Sequence, residues 1–269
     1  MKEYKFDPVR ATEECVEWIR NWFEINGKGC RAVVGISGGK DSSIVAALCV
    51  KALGKDRVFG VLMPRGEQFD ISCSHQLVNH LGIEHVVVNI KEVADAMDKT
   101  VSDALGSTLT PQSLQNIPPR IRMTTLYAVS QSVNGRVANT CNWSEDYVGY
   151  STKYGDLAGD FAILSRYTVR EVITMGCVLA KEFNIPVELI AKTPSDGMCG
   201  KTDEDNLGFT YDTLDSLLLN NIVPEYEVYR NIMERHSRNR HKELAIRLPA
   251  PNPMIYRNCP IWMDEYCEF

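Results

Sequence analysis

The stretch from Arg31 to Ser43, R-A-V-V-G-I-S-G-G-K-D-S-S, leaves this chain the fewest choices of fold. Ala32 to Ile36 is a short apolar run rich in β-branched residues, which reads as a buried strand. Ser37, Gly38 and Gly39 break it, and from Asp41 to Leu53 the residues Ile44, Val45, Ala47, Leu48, Ala52 and Leu53 recur at helical spacing. The order is strand, glycine turn, helix. A helix N-terminus gathers backbone N–H groups and favours an anion, and two adjacent glycines let the main chain approach a phosphate with no Cβ in the way. Ser37, Ser42 and Ser43 offer hydroxyls, Lys40 a cation, and Asp41 a carboxylate able to hold Mg²⁺. A glycine turn that binds nothing fits the same pattern, so the rest of the chain has to decide.

Apolar runs alternate with helical patterns on either side. A first helix is expected over Thr12–Asn26, with Thr12 as its cap and Trp18 and Trp22 on its apolar side. Strands are expected at Arg57–Met63, Glu84–Ile90 and Arg136–Thr140, and helices at Phe69–Leu81, Lys91–Leu105 and from near Pro119 to about Val133. Gly106–Pro119 reads as a loop and Cys141–Phe161 as an irregular segment. Further helices are expected at Thr168–Phe183, Thr210–Asn220 and Pro224–Arg238. Lys192–Gly208 is turn-rich, and a tail with four prolines follows Leu248. The alternation predicts an α/β fold: a doubly wound, mostly parallel sheet with helices on both faces and ligand beyond the carboxyl ends of the strands. With 269 residues, no internal repeat and no low-complexity linker, one domain with a C-terminal helical or irregular extension is the better reading.

Composition narrows the partners. A net charge of −6 shows no basic footprint for nucleic acid. Met1–Arg10 has no apolar core for a secretory leader, and no apolar run nears the roughly 20 residues of a membrane span. Nine scattered cysteines without C-x-x-C read as reduced core thiols of a cytoplasmic protein, with a structural zinc site not expected.

S-G-G-K-D-S resembles the S-G-G-x-D-S loop of the N-type ATP pyrophosphatases, which split ATP to AMP and pyrophosphate while adenylating a substrate; the fold implied is Rossmann-like. Asn116–Met123 (N-I-P-P-R-I-R-M) resembles the N-x-x-A-R-x-R-M segment of ammonia-dependent NAD synthetases. Tyr150–Asp156 with Asp160 resembles their G-x-x-T-K-Y-G-D-x-x-x-D signature. Thr193-Pro194-Ser195, Asp203–Gly208 and His241-Lys242 continue the likeness in order.

The resemblance implies ligation of ammonia to deamido-NAD, driven by ATP and giving NAD, AMP and pyrophosphate in a homodimer. By the same likeness, Gly35, Ile36, Ser37, Gly38, Gly39, Lys40, Asp41, Ser42, Ser43, Thr140 and Ser195 meet ATP. Asp41 and Glu145 hold Mg²⁺; Arg120, Tyr150, Lys153, Asp160, His241 and Lys242 meet deamido-NAD; Asp156 stands beside the ammonia. Asp41, Lys153 and Asp156 are then the catalytic set. Departures fall at Leu62, Val169, Asn206 and Thr140-Cys141-Asn142. With the loop starting at residue 37, an amidotransferase domain upstream is not expected. Amidation of another carboxylate, or a non-catalytic nucleotide sensor, are the competing readings.

Overall fold

The computed structural model describes residues 5–68, 71–190 and 202–242. Its elements run α1 (Pro8–Asn26), β1 (Arg31–Gly35), α2 (Lys40–Leu53), β2 (Val58–Leu62), α3 (Ile71–Leu81), β3 (Glu84–Val87), α4 (Lys91–Leu105), α5 (Pro111–Ser132), β4 (Gly135–Asn139), α6 (Trp143–Val148), β5 (Phe161–Ala162), α7 (Val169–Phe183), α8 (Val187–Ile190), α9 (Asp203–Leu207), α10 (Tyr211–Asn220) and α11 (Tyr226–Asn239).

Five parallel strands form one sheet in the order β3-β2-β1-β4-β5. Strand order reverses between β1 and β4, which opens a crevice there at the carboxyl ends. Alternate residues of β1 serve the two faces. Ala32 and Val34 pack with α1, α2, α7 and α8 around Ile19, Ile44, Leu48, Met175 and Leu179. Val33 packs with Phe59, Val61, Ala94 and Ile121 under α4 and α5. A third cluster of Val148, Leu207, Phe209, Tyr211, Leu214 and Ile232 seats α9, α10 and α11 beside α6. The doubly wound expectation holds.

Several local expectations change. The first helix is capped by Asp7, which accepts from the N–H groups of Val9 and Arg10; Thr12 is buried inside it and donates to the Pro8 carbonyl. Trp18 is 43% exposed, stacked on Trp22 rather than sunk in the core, and Cys177 is exposed. Gly106–Pro119 is not all loop. Thr110 accepts from the Ser113 N–H, Pro111 sits in the first turn, and the helix runs through Pro118 and Pro119. A proline at the first turn of a helix loses nothing, whereas the inner pair leaves the Leu114 and Gln115 carbonyls without their i+4 donors. Pro119 is accommodated against Gly155, where a Cβ would stand 2.9 Å from the proline's own. The third strand stops at Val87, although the Val88 and Ile90 N–H groups still reach the Leu62 and Pro64 carbonyls. Cys141–Phe161 contains both α6 and β5. The proline-bearing tail after Leu248 lies outside the described residues. Among the described residues no helix is long and apolar enough to cross a membrane.

Candidate active site

The glycine turn follows β1 directly and delivers Lys40 and Asp41 into the first turn of α2. Gly38 takes φ +78°, the left-handed region where glycine is at home, and a Cβ there would stand 3.0 Å from Cys73 Cβ and 3.1 Å from Ser74 N. Gly39 caps α2 without any side-chain acceptor, so its first N–H groups stay available to an anion. The loop serines shape the turn. Ser37 Oγ and Ser42 Oγ lie 3.0 Å apart, Gly39 N–H donates to Ser37 Oγ, and Ser43 Oγ donates to the Gly39 carbonyl. Ile36 is buried and its N–H bonds the Val61 carbonyl of the neighbouring strand.

Opposite this turn, beyond β4, α6 begins. Asn142 caps it in a reciprocal box: its amide oxygen accepts from Glu145 N–H at 3.1 Å, and Glu145 Oε2 accepts from Asn142 N–H at 3.3 Å. The same Asn142 donates to Asp41 Oδ1 at 3.1 Å. Lys40, only 4% exposed, places Nζ 2.6 Å from Asp41 Oδ2 and 3.8 Å from Glu145 Oε1. Burial works against its charge, but Asp41, Glu145 and Asp203 prevail and hold the ammonium above its ordinary range. Glu145 is pushed well up by burial and then by Asp41, which Lys40 offsets only in part.

Two carboxylates share one lysine here. That deficit of positive charge suits a hard divalent cation, and the Asp41 and Glu145 carboxylates have the oxygen chemistry that could hold Mg²⁺. No group of three or more histidine, cysteine or acidic side chains converges among the described residues, so phosphate oxygens and water would complete the shell. Thr140 lies between β4 and this cap. Ser195 lies outside the described residues.

A second group forms where the T-K-Y-G-D turn meets α5 and the end of α11. Asp156 Oδ1 accepts from Thr152 N–H at 2.8 Å; desolvation raises its carboxyl, opposed by that bond and by Lys242. Lys242 donates to the Gly149 and Ser151 carbonyls at 2.7 and 2.9 Å and is held below the usual lysine range by burial. Lys153 donates to the His241 carbonyl at 2.8 Å, and Arg120 Nε to the Lys153 carbonyl at 3.3 Å. Thr152 Oγ1 donates to Asn116 at 2.8 Å, so the two quoted signatures touch. Tyr150 is tied by its hydroxyl to Asn206. The His241 ring itself makes a local contact, 3.0 Å from Nδ1 to the Arg238 carbonyl. Asp160 is committed to the fold: it accepts from Val137 N–H at 2.7 Å and from the Tyr127 hydroxyl at 3.3 Å.

Sequence reasoning passed over three residues. Asn142 was a departure there, though the N-x-x-E spacing before a helix is the capping-box signal. Half-buried Arg122 braces the end of β2 by donating to the Met63 carbonyl and sets its positive charge toward Asp156. Buried Asp215 accepts from Ser144 Oγ at 2.6 Å and Arg170 N–H at 2.8 Å, fixing α6 from behind, and nothing local in the sequence signals it.

A strand–glycine turn–helix at the switch point of a parallel sheet, faced by a carboxylate pair, is an arrangement suited to a nucleotide-using α/β enzyme. The model of the NAD synthase family matches residues 11–247. NH₃-dependent NAD⁺ synthetase of Methanococcus aeolicus is 42% identical over 73% of this chain and 76% of its own, and that of Methanoregula boonei 37% identical over 88% and 94%. Among solved structures, NMN synthetase of Francisella tularensis superposes with a TM-score of 0.82 at 29% identity, covering 91% of this chain and 99% of its own. NH₃-dependent NAD synthetase of Campylobacter jejuni, in complex with nitrate, gives 0.73 at 28%, covering 91% and 100%. The chain belongs to the NAD synthase family. Its activity is the ammonia-dependent formation of NAD with ATP as co-substrate, a ligation that makes a carbon–nitrogen bond.

Proposed function

We propose that the two groups of residues divide the reaction between them. The loop N–H groups and Lys40 hold the ATP phosphates, and Asp41 and Glu145 hold the Mg²⁺ that neutralises them when bound. The nicotinate carboxylate of deamido-NAD attacks the α-phosphorus and pyrophosphate leaves; ammonia then attacks the adenylated carbonyl carbon and AMP leaves. Both attacks set anion or lone pair against a crowded, charged centre, so positioning and charge neutralisation supply the catalysis. Asp156 accepts the proton that ammonia must lose. Arg120, Tyr150, Lys153, His241 and Lys242 bind the dinucleotide, while Asp160 holds the pocket wall. Thr140 and Ser195 are the further ATP contacts in this reading.

The observation that carries it is the Asp41–Asn142–Glu145 constellation, assembled at the crevice from both halves of the sheet. The test is pyrophosphate release from ATP, Mg²⁺ and ammonium, with and without deamido-NAD, and with nicotinate mononucleotide in parallel because the Francisella neighbour is an NMN synthetase. Release dependent on deamido-NAD, with NAD formed, is expected. Release with the mononucleotide alone would replace the acceptor, and release with neither would overturn the assignment.

The assembly is a homodimer in this reading. Val93, Met97 and Leu105 of α4 are exposed apolar side chains. Sedimentation velocity should give twice the 30.3 kDa chain mass. We place the protein in the cytoplasm, in keeping with the six described cysteines, all free thiols.

A further inference from the structure

Tyr211 opens α10 with 3% of its surface exposed, and its hydroxyl has no hydrogen-bond partner among the described residues. Its ring packs in the cluster of Val148, Leu207, Phe209 and Ile232, an environment that phenylalanine would satisfy without an orphaned polar atom. The hydroxyl is therefore the feature that needs a reason. The Lys40 ammonium lies 5.9 Å from the ring centroid, so the phenol borders the carboxylate pair. Burial, and then Glu145, Asp203 and Asp41, hold the phenol well above the ordinary tyrosine range, which keeps it a donor. A donor left unpaired beside a crevice of N–H groups and a cation matches an acceptor that arrives with the ligand.

We propose that Tyr211 is an ATP-contacting residue, whose hydroxyl donates to a phosphate oxygen held at the loop while its ring supports Lys40. This rests on seating the ATP phosphates at the N-terminus of α2, as above.

The test is Tyr211→Phe, which keeps the ring and removes the donor. Apo thermal stability should be unchanged or higher, because a buried unpaired hydroxyl is lost. KM for ATP should rise roughly tenfold or more, the loss expected for a hydrogen bond to a charged group. KM for deamido-NAD should stay where it was. An unchanged KM for ATP, or a fall in apo stability that marks a structural hydroxyl, overturns the proposal. Asp41→Asn, measured beside it, separates the two levels. If Asp41→Asn weakens ATP and Tyr211→Phe does not, only Tyr211 is wrongly assigned; if neither does, the phosphate site is misplaced and the proposal falls with it.

Discussion

The side-chain amide of Asn142 donates to Asp41 Oδ1 across 3.1 Å, joining two positions 101 residues apart. The same amide's oxygen caps the helix that carries Glu145. One residue thus reaches both carboxylates, Asp41 through its side chain and Glu145 through its backbone N–H. Asn142→Ala should lose the cap, about 0.5–2 kcal/mol, and should raise the Mg²⁺ concentration needed for half-maximal rate. Asn142→Ser restores a cap acceptor but not the reach to Asp41. It should recover the melting temperature and leave the Mg²⁺ requirement high; recovery of both would deny Asn142 its orienting role.

Lys40 is the cation between Asp41 and Glu145. Lys40→Met leaves two carboxylates uncompensated, and removing one partner of a buried pair typically costs roughly 3–5 kcal/mol. Mg²⁺ should stabilise this variant more than the wild type in thermal melts, because the ion replaces the lost charge. Equal Mg²⁺ shifts in the two proteins would place the ion elsewhere.

Asp156 gives a pH signature. Desolvation raises its carboxyl above the ordinary range although the residue as a whole is exposed, so the folded state holds its proton more tightly than the unfolded chain, whose value is about 3.9. Wild-type stability therefore falls as pH rises through that window and levels off above the folded value. Asp156→Asn has no such slope. Urea midpoints at pH 4 and 7 should show the variant gaining on the wild type with rising pH, while its turnover collapses; a pH-independent difference would contradict the desolvation argument.

Gly38 and Gly29 make a matched pair. Both take positive φ, +78° and +73°, but a Cβ at Gly29 meets nothing within 4 Å whereas one at Gly38 meets Cys73 and Ser74. Each change to alanine should cost roughly 1–3 kcal/mol of backbone strain. Only Gly38→Ala should also weaken ATP in calorimetric titration. Weakening by both would point to general destabilisation instead of the loop.

The sequence carried the sheet and the glycine turn because both are local patterns with strong periods, as Ala32–Ile36 and Ile44–Leu53 show. It hid β5, since two residues carry no alternation. It hid the start of α5, because prolines at 118 and 119 outweighed the Thr110-Pro111 start signal. The carboxylates of the site were legible through family likeness. Their connections were not, because the Asn142 bond to Asp41 and the Asp215 anchor beneath Ser144 span loops whose closure no local pattern reports. Asp160 likewise makes contacts its motif position does not announce, its oxygens accepting from β4 and from Tyr127.

The reversal of strand order between β1 and β4 has a consequence for biogenesis. A nascent chain that has folded only β1 to β3 already owns a complete glycine turn, yet it lacks Asn142 and Glu145, and Asp41 has no orienting amide. The bond that orients Asp41 therefore forms only once β4 has joined the sheet and brought Asn142 with it.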